Sequence, residues 1–451
     1  MATGIGTLIS MVDQTIANTA LPTIARDVQA TASASIWVIN AYQLAVTVFL
    51  VPLASLGDII GYARLYRISL SIFIAASLGC ALSHSLLVLA LARVVQGIGA
   101  AGMTVTTSPL NRIAFPPSML GRAVGYTAMV VALGAAAGPI ISGVILAFAP
   151  WPWLFAINVP IGLFTLVLAM RSLPETPGHG HRFDWTSAVL SGLTFGLAIV
   201  AFDGLGHQAN PWTVAAEFVV AAIVATIFIR RQLRLPMPMF AVDLIARSQQ
   251  LGLAVLACFT SFIAQTIAYV ALPFGFQTVM GRTPLEIGFL MLPWLLSAAA
   301  MAPLAGRLAD RYESATLTAF GLGIFTAGLA LLAFEPRHAS MLDVMWRMLI
   351  CGIGYGFYQS PNNRAIQGHA PRSRAGAAQS LQATARLSGQ TVGATCVALV
   401  FGVMHDSHAP SGVGASSVFV AMLVAVGFAL FSALASLARR GEPALQKAAA
   451  A

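Results

Sequence analysis

The sequence predicts an all-α integral membrane protein of 14 transmembrane helices, built as two pseudo-symmetric six-helix bundles with a two-helix insertion between them. Three observations predict it. Of 451 residues, 58% are hydrophobic and only 9% charged, and the mean hydropathy is +0.83, which leaves too little charge to cover a soluble surface of this size. The apolar residues gather into runs of about 20, the length that crosses about 30 Å of hydrocarbon at 1.5 Å per residue. Patterns also recur at a fixed offset. Pro52-Leu53-Ala54 runs on to Asp58 and Pro303-Leu304-Ala305 to Asp310-Arg311, with the two aspartates 252 residues apart. Ser108-Pro109-Leu110-Asn111-Arg112 and Ser360-Pro361-Asn362-Asn363-Arg364 stand at the same separation, as do Arg122-Ala123 and Arg374-Ala375. Three matches at one offset argue for duplication of a long unit, which in so apolar a chain implies two related bundles with a pathway between them.

The runs follow in order. The first, 5–24, holds Asp13 and no basic residue before it, so it reads as a retained span and not as a cleavable signal. The second and third, 35–56 and 66–86, flank the short loop from Asp58 through Gly61 to Arg64. The fourth, 87–108, carries Arg93, and the fifth, 123–149, is rich in glycine and alanine. The sixth, 153–172, completes a first unit, 1–172. Two runs, 185–205 and 211–230, lie in a segment 173–247 whose loops, Pro174–His181 and Leu235–Pro238, carry the proline and glycine expected between bundles. Six more runs, 249–272, 285–306, 315–334, 342–363, 376–404 and 416–438, make up a second unit, 248–440, followed by a tail, 441–451.

Charge placement tests this count independently. With both termini on one side, the loops and tail on that side hold 18 arginines and lysines and the loops opposite hold three, Arg26, Arg282 and Arg337. That asymmetry follows the positive-inside rule, places both termini in the cytoplasm, and would be scrambled by an odd number of missed spans. The net charge of +9 then reflects topology and anionic inner-leaflet lipid, and not nucleic acid. The four cysteines, Cys80, Cys258, Cys351 and Cys396, fall inside apolar runs and offer neither a disulfide framework nor metal-ligand spacing. Lys447 is the only lysine, so no nucleotide-binding loop is present and ion gradients remain as the energy source. No cofactor, metal or catalytic site is expected, and the chain does not read as an enzyme.

Several motifs carry a family resemblance. Asp13-Gln14-Thr15-Ile16-Ala17-Asn18-Thr19-Ala20-Leu21-Pro22, Asp58…Gly61…Arg64, Arg93-Val94-Val95-Gln96-Gly97-Ile98-Gly99, Gly134–Gly143 with Pro139, Trp153–Gly162 and Gly306-Arg307-Leu308-Ala309-Asp310-Arg311 arrive in the order seen in the major facilitator superfamily. Within it the chain resembles the fourteen-span drug:proton antiporter branch. The resemblance implies a plasma (inner) membrane multidrug efflux transporter, monomeric, whose partners are small molecules, protons and lipid. Asp58, Gly61, Arg64, Asp310 and Arg311 would form gating loops. Gly134, Gly138, Pro139 and Gly143 would form an antiporter motif, although packing alone also calls for small residues there. Ile59, Tyr62 and Ala63 stand where the family generally has basic residues, which predicts a looser gate in the first unit.

Read from physics alone, Asp13 is the leading coupling carboxylate, because a mid-span acid costs about 2.5–3.5 kcal/mol to insert and therefore has a partner or a task. Arg93 is its natural counter-charge, and either a switchable or a static ion pair fits. Arg347 is a weaker second-unit counterpart off the 252 spacing, and Arg386 reads as a side chain snorkelling near the cytoplasmic end of its span. Tyr42, Gln43, Phe276 and Gln277 are candidates for a central cavity that takes large amphipathic molecules, cations over ring faces included. Two other readings stand beside drug export: a narrow carrier of an endogenous metabolite, and a membrane sensor that transports nothing.

Overall fold

The apolar runs form helices because, in hydrocarbon, a helix satisfies each backbone N–H and C=O within its own segment. The computed structural model describes residues 2–115, 120–173, 183–206, 211–235, 244–245, 248–309, 311–336, 339–369, 375–404 and 413–439. Among these, 14 long helices follow one another. They are α1 (Ala2–Asp27), α2 (Trp37–Ile60), α3 (Tyr62–Ala81), α4 (Leu86–Ala114), α5 (Leu120–Phe148), α6 (Asn158–Ser172), α7 (Trp185–Gly206), α8 (Pro211–Arg234), α9 (Gln249–Phe274), α10 (Pro284–Leu308), α11 (Ser314–Ala333), α12 (Met341–Gly368), α13 (Ala375–Val403) and α14 (Ala415–Leu437). One-turn helices, Ala32–Ser35 and Trp153–Ala156, lead into α2 and α6. Hydroxyl caps start several of them: Ser85 accepts from Val88 N, Ser248 from Leu251 N and Ser340 from Asp343 N, while Thr283 and Glu286 form a reciprocal capping box on α10.

Eleven of these segments are long and apolar enough to cross a membrane. The three that fall short are α1, α7 and α12. Polar residues explain two of them: α1 carries Asp13, Gln14 and Asn18, and α12 carries Asp343, Arg347 and Arg364. In α1 Asp13 and Asn18 are buried in the protein interior, whereas in α12 Asp343 and Arg347 pair at the arginine-poor end and Arg364 is exposed. In α7 the apolar stretch is Trp185–Ala198.

The repeat seen in the sequence reappears in the helix bounds. Residues 62–81 of α3 and 314–333 of α11 differ by 252 at both ends. Packing repeats as well. In the first six helices α1 packs on α5 and α6, α2 on α4, and α3 on α4 and α6; in the last six α9 packs on α13 and α14, α10 on α12, and α11 on α12 and α14. Helices α7 and α8 pack chiefly on each other, and α7 also touches α2 and α13. Arg231 of α8 pairs with Asp184 at 3.0 Å, and Asp184 also accepts from Ser187 at the start of α7. Although desolvation opposes it, these Ser187 and Arg231 hydrogen bonds hold the Asp184 carboxyl below its usual value.

The two sets of six meet along a seam that is sealed at the arginine-poor end. Ser33 Oγ donates to Ala398 O at 2.8 Å, Asn40 Nδ2 to Thr395 Oγ1 at 3.1 Å and Gln277 Nε2 to Thr23 Oγ1 at 3.3 Å. Helices α5 and α10 cross backbone to backbone: a Cβ on Gly288 would lie 2.6 Å from Pro139 O, and one on Gly143 would lie 2.8 Å from Pro284 O. Only glycine permits that approach. Deeper in, Gln14 Nε2 donates to Gln390 Oε1 at 3.2 Å.

Candidate functional site

Asp13 lies midway along α1, and its environment supplies the partners that a buried carboxylate requires. Its side chain is 0% exposed. Arg93 Nη1 donates to Oδ2 at 2.6 Å, while Gln96 Nε2 and Asn158 Nδ2 donate to Oδ1 at 2.9 and 2.7 Å. Because Arg93 and Gln96 project from α4 and Asn158 from the first residue of α6, one carboxylate joins three helices. Arg93 is itself 1% exposed, and its Nε donates to Val38 O of α2 at 3.0 Å and its Nη1 to Gln96 Oε1 at 2.7 Å. Its guanidinium lies 4.1 Å from the Tyr42 ring centroid and 5.6 Å from that of Phe155. Gln96 Nε2 also donates to Ser77 Oγ of α3 at 2.9 Å. Charge-assisted bonds in so dry a place are strong and costly to leave half-made.

Arg93 and Asp13 were legible from sequence; Gln96, Asn158 and Ser77 were not singled out. Gln96 and Asn158 sit inside motifs that carried the resemblance, and Ser77 left no signal. The charged and amide residues of this network are not repeated in the sequence of the second half. At the 252 spacing Asp13 corresponds to Gln265, Arg93 to Met345, Gln96 to Met348 and Ser77 to Leu329. Arg347 lies toward the arginine-poor end of α12, where it pairs with Asp343 at 3.0 Å and donates to Leu331 O at 2.6 Å.

On the arginine-rich side of the seam, Ser10, Gln14, Tyr42, Gln43, Thr104 and Arg386 line a recess of about 20 Å³, room for one water-sized group. Tyr42 and Gln43, two of the residues proposed for a central cavity, line this small recess. Gln277 does not; it takes part in the seal. Phe276 faces a different cavity, because α9 passes into a π-helical turn, Gly275–Val279, just beyond Pro273, and that turn resets the direction of the residues in it. Arg386 lies 11 residues into α13, about 16 Å from its start, which is mid-depth and not at a snorkelling position.

The remaining candidates divide between the two ends. Gly134 and Gly138 of α5 lie against Leu8, Met11 and Thr15 of α1, whereas Gly143 and Pro139 meet α10. Asp58 ends α2, Gly61 joins α2 to α3 with φ of +89°, and Arg64 is exposed on α3. The Tyr62 hydroxyl, at a position where a basic residue was expected, donates to Asp58. Arg311 is exposed; Asp310 lies outside the described residues.

The cavity that holds Phe276 measures about 390 Å³ and lies at the arginine-poor end between α9, α11 and α14, with Glu335 on its wall. Burial pushes the Glu335 carboxyl up to about 7, against the pull of Arg347 and Arg282 and with added push from Asp343. A carboxyl raised above its ordinary 4.5 stabilises the fold fully below that pH and loses the effect as pH rises through about 7. Glu335→Gln is therefore expected to flatten the fall in melting temperature between roughly pH 5 and 8. Superimposable curves for the two proteins would show that water solvates this carboxyl.

A profile described as Major Facilitator Superfamily matches residues 3–394. The chain is 46% identical over 405 residues to the uncharacterized transporter YebQ of Escherichia coli (strain K12), covering 89% of this chain and 88% of that one. It is 30% identical over 398 residues to the multidrug resistance protein Stp of Mycobacterium tuberculosis (strain CDC 1551 / Oshkosh), covering 87% and 73%. A bacterial homologue of the human lysosomal transporter Spinster, solved in an inward-facing and unoccupied conformation, superposes with a TM-score of 0.70 at 16% identity over 98% of both chains.

Proposed function

This chain belongs to the major facilitator superfamily, and from that premise we propose that it exports amphipathic small molecules in exchange for protons by alternating access. The observation that carries this reading is the closed network around Asp13. An ionised Asp13 accepts three donors at once. A proton on Oδ2 would turn that acceptor into a donor facing Arg93, and the pair would part. Helices α1, α4 and α6 are held together through this one carboxylate, so its protonation biases how the first bundle packs. A proton is then coupled to a conformational change without any catalytic chemistry.

Alternating access needs two bundles and a seam that opens at either end. The helix pairing repeated between α1–α6 and α9–α14 supports two bundles, 1–172 and 248–440, with α7 and α8 as the insertion, in the fourteen-span arrangement. The positive-inside rule puts the arginine-rich end, the gating loops and both termini in the cytoplasm of a bacterial inner membrane. In this orientation the seal lies on the outer side and the small recess lies on its cytoplasmic side. A potential of 100 mV supplies about 2.3 kcal/mol per charge, enough for a roughly 40-fold gradient per proton. Resemblance in sequence to a protein named for multidrug resistance supports a broad substrate range.

Accumulation of several structurally unrelated dyes in everted vesicles, each competing with the others and each abolished by a protonophore, is the expected result. Uptake of one metabolite with no competition from dyes would replace drug export by the narrow-carrier reading.

A further inference from the structure

The recess between the bundles has an uneven charge. Asp13, the acid nearest to it, is fully engaged by Arg93, Gln96 and Asn158. No carboxylate lines the recess itself. Arg386 does line it, and among the described residues it makes no hydrogen bond or ion pair, unlike Arg93 and unlike Arg347 toward the arginine-poor end of α12. A guanidinium in the membrane interior needs an anionic or carbonyl partner. Across from it, Gln43 is 2% exposed, and its Oε1 is a buried acceptor without a donor. One face of the Tyr42 ring, which could have held a cation, is covered by Arg93 at 4.1 Å. Arg386 also lies one turn from Gln390, whose side chain bridges to Gln14 across the seam, so a ligand on Arg386 would sit beside a contact that must break during access change.

We propose that Arg386 is the substrate-recognition residue of the central cavity, and that the exported amphiphile carries an anionic group for Arg386 and a hydrogen-bond donor for Gln43. This rests on the transport reading above and narrows its substrate class from amphiphiles in general to carboxylates, sulfonates or phosphates on an apolar body. The charge has an energetic consequence. Exchange of one such anion for one proton moves two charges inward and is driven by membrane potential, whereas exchange of a monovalent cation for a proton is electroneutral.

Paired xanthene dyes of opposite charge test the proposal: carboxyfluorescein as the anion and rhodamine 123 as the cation, with binding read by fluorescence anisotropy on the full-length protein in nanodiscs. The wild type is expected to prefer carboxyfluorescein. Loss of a charge-assisted contact in Arg386→Gln should weaken that binding by about 10- to 100-fold, Arg386→Lys should restore most of it, and rhodamine 123 should bind as well as before or better. Preference of the wild type for rhodamine 123, or equal weakening of both dyes by Arg386→Gln, would overturn the assignment. The charge preference of the wild type needs no variant, so the test survives poor folding of Arg386→Gln. Binding is read without a gradient, so a failure of proton exchange would sink the transport reading and leave this result standing.

Discussion

Asp13→Asn is expected to lower proton-coupled transport by at least about 100-fold and to destabilise the fold by about 3–5 kcal/mol, the cost of leaving one member of a buried ion pair alone. Asparagine keeps the shape and one acceptor oxygen, but it cannot exchange a proton at neutral pH. Its amide nitrogen would also face the amide donors of Gln96 or Asn158, each of which now points at Asp13. The double variant Asp13→Asn/Arg93→Gln removes the stranded charge, so it should recover much of the stability while remaining uncoupled. The two properties are thereby separated. Thermal unfolding of the four proteins in a double-mutant cycle measures the pair directly. Strict additivity of the two substitutions would contradict the close pairing of these side chains at 2.6 Å.

The second large effect is expected at the crossing of α5 and α10. Gly288→Val places a branched side chain where Pro139 O would lie 2.6 Å from the first added carbon. The obstacle is backbone, which cannot swing aside as a side chain can. The two helices must then separate by the width of a methyl group or more, and the seal made by Ser33, Asn40 and their partners on α13 opens with them. Transport should fall by roughly 10- to 100-fold, from a loss of about 1.4–3 kcal/mol in the population able to close. A cysteine placed at Asn40 should become reactive to membrane-impermeant thiol reagents from the arginine-poor side. Gly323→Val on α11 serves as the control, since nothing lies within 4 Å of a Cβ there. Transport by Gly288→Val at the wild-type rate would show that this crossing does not take part in access change.

Much of the architecture was legible because membrane insertion imposes long-range order on a sequence. Apolar length gave the helices, and arginine placement tested their number. The 252-residue offset gave the pseudo-symmetry, and the bounds of α3 and α11 reproduce it. The apolar criterion alone selects 11 segments. It misses α1 and α12 because these carry polar residues, and α1 is the helix that holds the buried Asp13.

The site was legible only where charge stands in an apolar run. Asp13 and Arg93 declare themselves because their insertion is costly, and their pairing follows from the need to neutralise each other. Gln96, Asn158 and Ser77 are neutral, and neutral polar residues occur throughout the spans, so only the packing of α1, α3, α4 and α6 reveals which of them reach the carboxylate. Gln277 and Phe276 show a different limit. A π-turn adds a residue to the helical repeat, and a reading at 3.6 residues per turn cannot see it. Gln277 accordingly meets Thr23 in the seal and Phe276 enters the cavity beside Glu335. Arg386 reads as a snorkelling side chain only if the run 376–404 is taken without its register: that run already sets it ten residues in, and α13, starting at Ala375, keeps it at mid-depth.

Proton movement driven by substrate tests the central claim most directly. Wild-type protein and Asp13→Asn would be reconstituted into proteoliposomes that hold a pH-sensitive dye, a pH gradient imposed, and a panel of amphiphilic compounds of both charges added in turn. Proton flux that starts on addition of substrate in the wild type and is absent in Asp13→Asn is the predicted result. Substrate movement without proton flux, or equal flux in the two proteins, would contradict the account.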